Sequence, residues 1–100
     1  IGREAAISLV RHMGELPHLC VRGLMCIPPL AGDPEDNRGY FRALRELKDE
    51  INERKLPGVK LTELSMGMSH DYPVAVEEGA TFIRVGTALF GERNIPADKP

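Results

Sequence analysis

The sequence predicts an α/β fold with parallel strands and, within that class, the C-terminal portion of a (β/α)8 TIM barrel. Three observations carry this. Helix-like and strand-like stretches alternate along the 100 residues in the order α-β-α-β-α-β-α, which implies parallel strands joined by right-handed crossovers. Leu19 to Ile27 (LCVRGLMCI) is almost continuously apolar, as expected of a strand buried on both faces. The last two strand-like stretches each run into a turn holding Gly and a hydroxyl: Leu64 to Asp71 (LSMGMSHD), and Thr81 to Ala88 (TFIRVGTA). Three parallel strands alone expose their edges. A barrel of about 250 residues has none, and often keeps phosphate in the loops after strands seven and eight.

The elements follow in order. Ala6, Leu9, Val10 and Met13 recur at helical spacing, and Gly14 and Pro17 stop that helix. The first strand is Leu19 to Ile27, ended by Pro28-Pro29. Residues 28–37 form a loop whose acidic end can cap the next helix. That helix runs from about Arg38 to Lys55 with Phe41, Leu44, Leu47 and Ile51 as its apolar stripe, and Pro57-Gly58 ends it. Its charged residues (RELKDEINERK) form a solvated face. Val59 to Met66 is the second strand, with Lys60 at its start. Asp71 is placed to cap a short helix from Tyr72 to Glu78, with Pro73 in its first turn and Gly79 just past its end. Thr81 to Val85 is the third strand, and Thr87 to Phe90 begins another helical turn. The tail from Asn94 to Pro100 is polar and expected to be flexible. Residues 1–100 show no repeat and no linker, so they read as one unit. The chain opens on Ile1 within a helix-like stretch, which reads as part of a longer domain lacking its N-terminal strands.

Composition excludes several classes. The net charge of −2 gives no electrostatic reason to bind nucleic acid or an anionic membrane. No apolar run approaches the roughly 20 residues that span a bilayer. His12, His18 and His70 are scattered, so a metal site is not expected. Cys20 and Cys26 stand an even number of residues apart in one apparent strand, and read as small buried hydrophobes in a reducing compartment. A cytoplasmic location follows, or a mitochondrial one in a eukaryote.

The two hydroxyl-bearing turns can bare backbone N–H groups to an anion. Ser69 and Gly86-Thr87 would form such a cup, and Arg84 lies between them in sequence. An Arg in an apolar strand needs a buried partner, and a structural carboxylate such as Glu63 or Asp71 is an alternative to a ligand. Ser65 and Gly67 would shape the same loop. Met66 and Met68 read as packing residues and His70 as a solvated residue near the mouth.

The stretch LSMGMSHDYPVAVEEGATFIRVGTALFGERN closely resembles the C-terminal signature of the pyridoxal phosphate homeostasis family, also called the proline synthase co-transcribed family. RGLMCIPP resembles an earlier strand and turn of the same family, and the resemblance spans about residues 19–93. It implies a (β/α)8 barrel like the N-terminal domain of bacterial alanine racemases. It implies binding of pyridoxal 5′-phosphate (PLP) by a carrier that buffers and delivers PLP to PLP-dependent apo-enzymes, a monomer without catalytic turnover. Carried over residue by residue, Ser69, Gly86 and Thr87 hold the cofactor phosphate, and Arg84 faces the pyridine nitrogen. Related racemases end the GLM strand in Thr-His. Here Ile27 takes that place, as an apolar wall. The lysine that holds PLP covalently belongs to the family's first barrel strand. Lys48, Lys55, Lys60 and Lys99 do not match it. Two alternatives stay open: part of a PLP-dependent racemase or decarboxylase of the same barrel class, and a phosphate-binding barrel unrelated to PLP.

Overall fold

A computed structural model describes residues 2–29 and 32–86. Thr87, the helical turn expected from it and the expected flexible tail lie outside the described residues. Three strands, β1 (Gly23–Met25), β2 (Glu63–Met68) and β3 (Phe82–Arg84), form one sheet in the order β1-β2-β3. Both pairings are parallel, Gly23 standing against Glu63 and Ser65 against Phe82. Helix α1 (Arg3–Gly14) precedes the sheet, α2 (Arg38–Glu53) joins β1 to β2, and α3 (Tyr72–Glu77) joins β2 to β3. A 3₁₀ turn, Pro34–Asn37, leads into α2, and Asp33 caps that turn through Glu35 N–H at 3.0 Å.

Leu64 and Met66 alternate on β2 and are fully buried against the helices, while Glu63 and Ser65 point the other way and are half-buried. The helix-covered face holds two clusters. One joins Ile7 and Val10 of α1 to Ile51, Leu56 and Leu61. The other joins Phe41 of α2 to Leu64, Met66, Val74 and Ala75. Leu24 of β1 packs against both. Two polar ties set how the chain meets the sheet. The Asn52 amide donates to Leu61 O and accepts from Leu61 N–H, each at 2.8 Å. The Thr81 hydroxyl accepts from Leu64 N–H at 2.8 Å and donates to Leu64 O at 3.3 Å.

Several expectations need correction. The first strand shrinks from Leu19–Ile27 to three residues and is not buried on both faces: Met25 is 60% and Ile27 63% exposed. Only β2 pairs with β1 among the described residues, so β1's other edge has no covering partner there. Cys20 is exposed and Cys26 half-buried, and both lie outside β1, so they do not share a strand face. The second strand starts at Glu63, which leaves Lys60 in the preceding loop.

Glu78, just past α3, is the buried charge of the outer face. Its carboxylate accepts from Arg42 (3.1 and 3.2 Å) and Arg38 (2.8 Å), with Arg45 at 3.8 Å. Arg38 also reaches Glu35 and Glu77. The hydrogen bonds from Arg42, and then those from Arg38, pull the Glu78 carboxyl down from 4.5 to about 2. A carboxyl lowered by folding stabilises the native state above its unfolded value and loses that effect as pH falls through the folded one. Stability is therefore expected to drop between about pH 4.5 and 2. Urea midpoints measured across that window should show a flatter pH dependence for Glu78→Gln than for wild type.

Candidate functional site at the carboxyl ends of the strands

Strand β2 carries one more residue than β3 between shared partners: Ser65 pairs with Phe82, and Met68 with Arg84. The extra residue forms a bulge. Gly67 makes it possible, with φ +103°. A Cβ at Gly67 would lie 2.7 Å from the Ala75 methyl and 3.3 Å from Tyr72 Cα. A side chain is thus excluded by both backbone conformation and space.

The bulge lets Arg84, at the end of β3, reach back across β2. Arg84 Nη1 donates to Ser65 Oγ at 2.5 Å, and Nη2 donates to the Cys26 carbonyl at 3.0 Å. One guanidinium therefore ties all three strands together, from the end of β3 to the middle of β2 and the residue just past β1. Neither Glu63 nor Asp71 pairs with it, and among the described residues it has no carboxylate partner. Its five donors form a fixed fork, and its neutral partners leave its charge uncancelled. Burial pushes the Cys26 thiol up, with the positive charge of Arg84 acting against that and the negative charge of Asp71 adding to it.

Beyond the strand ends, Gly86 N–H donates to Ser69 Oγ at 3.0 Å. The expected pairing of the two turns is thus present. A Cβ at Gly86 would meet no described atom within 4 Å. Met68, Ser69, His70, Arg84 and Gly86 line a shallow cleft of about 300 Å³. A larger groove of about 470 Å³ lies between α1, α2 and β1, but its walls are apolar. Converging donors, rather than size, mark the site.

Ser69 sits in a turn closed twice by Asp71. Asp71 N–H donates to Met68 O at 3.1 Å, and Met68 N–H donates to Asp71 Oδ1 at 2.8 Å. Asp71 holds the capping position of α3, but its carboxylate makes no bond to that helix. It faces backward, onto the site turn, and also takes Asn37 Nδ2 at 2.8 Å. The sequence reading missed Asn37 and gave Ser65 only a loop-shaping role. The signal for Ser65 was available in the alternation of β2, which turns Ser65 away from Leu64 and Met66. No local pattern marks Asn37.

Parallel strands with helices on one face and donors gathered at their carboxyl ends define part of a β/α barrel. The chain belongs to the family of the alanine racemase N-terminal domain, whose model matches residues 1–94. It is 61% identical over 86 residues to the pyridoxal phosphate homeostasis protein of Aquifex aeolicus, covering 86% of this chain and 37% of that one. It is 42% identical over 91 residues to the protein of the same name from Haemophilus influenzae, covering 91% and 38%. Among solved structures it is similar to PipY of Synechococcus elongatus with PLP bound. The TM-score is 0.79 and the identity 41%, over 90% of this chain and 42% of PipY. The chain thus spans well under half the length of these relatives.

The bulge gives a direct test. Gly67→Ala should destabilise the protein by about 1–3 kcal/mol, from positive φ together with overpacking. Urea unfolding measures it, and an unchanged midpoint would show that the bulge tolerates a side chain.

Proposed function

We propose that this chain carries the phosphate- and pyridine-binding part of a PLP carrier in PLP homeostasis. The observation that carries the reading is Arg84, a strand-end guanidinium held by a hydroxyl and a carbonyl, with no carboxylate among the described residues cancelling its charge. PLP supplies a reactive aldehyde on an electron-withdrawing ring. Arg84 has no proton acceptor to offer the ring nitrogen, because guanidinium is donor-only and stays charged. Facing that nitrogen, it would keep it unprotonated and restrain the ring as an electron sink, which suits a carrier better than a catalyst. Gly86 N–H and Ser69 Oγ, which bond each other at 3.0 Å, lie close enough to turn together to the oxygens of one phosphate group. Thr87, the next residue, would complete the cup. The relatives named for PLP homeostasis and the PLP-bound PipY support the same ligand.

The rest of the reading follows from the ligand. The protein would work as a cytoplasmic monomer, hold PLP without turning over an amino acid, and release it to PLP-dependent apo-enzymes. Incubation of the full-length polypeptide with L-alanine and PLP should yield no D-alanine. Sustained racemisation would overturn the non-catalytic assignment.

The binding assignment has its own test in the full-length polypeptide. Losing a charged hydrogen bond costs about 1.5–3 kcal/mol, so Arg84→Ala should weaken PLP retention about ten- to a hundredfold. Gly86→Val should also weaken it, because its branched side chain would stand where the phosphate must approach. Visible absorbance remaining after gel filtration reads both. A Gly86→Val protein that keeps cofactor like wild type would reject the cup.

A further inference from the structure

Two polar side chains near the cup are almost fully buried, and the ligand reading uses neither. Asn37 is 1% and Asp71 2% exposed. Such groups persist inside a protein only when their hydrogen bonds are made. Asp71 Oδ2 takes Asn37 Nδ2 at 2.8 Å, and Oδ1 takes Met68 N–H at 2.8 Å. His70 Nε2 lies 3.4 Å from Oδ2. Asn37 closes the 3₁₀ turn that leads into α2, so it is fixed to a separate element. The chain of contacts therefore runs from the start of α2, through Asp71, into the turn whose inner residues are Ser69 and His70. It ends at Gly86 N–H, which donates to Ser69 Oγ.

We propose that Asn37 and Asp71 are positioning residues for the phosphate cup: the pair anchors the Ser69 turn to α2 and so sets the Ser69 hydroxyl against the Gly86 backbone. This rests on the reading of the cup as a phosphate site. The pair touches no ligand in this scheme. It acts by holding the turn in one shape, which lowers the ordering that binding would otherwise require.

The chemistry of the pair supplies its own control. Asp71→Leu alone leaves Asn37 Nδ2 and Met68 N–H without their acceptor, and Asn37→Asp alone sets two carboxylates together. The swap of both, Asn37→Asp with Asp71→Asn, restores a donor opposite an acceptor. It also leaves the new Asn carbonyl free to accept from Met68 N–H.

The experiment uses the full-length polypeptide and two ligands, PLP and pyridoxal, which lacks the phosphate. For close polar pairs of this kind, each single variant should lose about tenfold or more in PLP affinity, with pyridoxal affinity within about twofold of wild type. Ser69→Ala should show the same selective loss. The swap should return PLP affinity to within about threefold of wild type. Folded single variants that lose both ligands equally would overturn the proposal, as a general loss of stability would produce that pattern. If the single variants do not fold, the swap decides. A folded swap with wild-type preference for PLP over pyridoxal supports the proposal, and a folded swap without it overturns it. A wild-type protein that binds the two ligands alike would instead reject the phosphate reading itself, before any variant is made.

Discussion

One extra residue in the central strand governs the geometry of the site. Gly67 takes a backbone conformation closed to other residues and lets α3 approach to within contact of the strand. The bulge shifts the register so that Met68 stands opposite Arg84. Without it, Arg84 would pair one residue earlier on β2, and its reach back to Ser65 would change. The turn that begins at Met68 would also leave the sheet on the other pleat. The positions of the Ser69 hydroxyl, the Asp71 clamp and the Arg84 fork all follow from this one irregularity.

The chain handles the charges of Glu78 and Arg84 in opposite ways. Glu78, on the outer side of α2 and α3, is surrounded by Arg38, Arg42 and Arg45. Its charge is fully matched, and it joins two helices. Arg84, on the other face of the sheet, donates to a hydroxyl and a carbonyl, and has no carboxylate partner among the described residues. Partial dipoles can hold a guanidinium in place without neutralising it. A group held at a strand end with its charge intact has capacity left for an electron-rich ligand, and Glu78 has none left for anything.

Much of this was legible in the residues alone. The helical stripe Phe41, Leu44, Leu47, Ile51 and the Gly79 stop are local patterns, and the helices lie where those patterns place them. The meeting of Ser69 with Gly86 was legible too, because each sits just past a strand and adjacent parallel strands bring such turns together. The strand lengths were not. The apolar run from Leu19 to Ile27 signals burial, but a strand needs a paired neighbour, and only three residues find one among the described residues. Asp71 misled in an informative way. The sequence pattern Asp-x-Pro marks a helix start, yet the carboxylate has two oxygens and spends them on Met68 and Asn37. Asn37 itself was beyond reach, since its partner lies 34 positions away and nothing local announces a pairing of that span.

The register also distributes chain entropy unevenly. Gly23 meets Glu63, forty positions on, whereas Ser65 meets Phe82, seventeen positions on. Closing the longer connection costs about 0.8 kcal/mol more by the logarithmic loop law. The donors of the cup, Ser69 and Gly86, both belong to the shorter closure. Arg84 spans the two, because its second bond ends on Cys26 beyond β1. The contact of Ser69 with Gly86 thus rests on the more local pairing in the sheet, and the Arg84 bridge completes only when the most distant strand has docked.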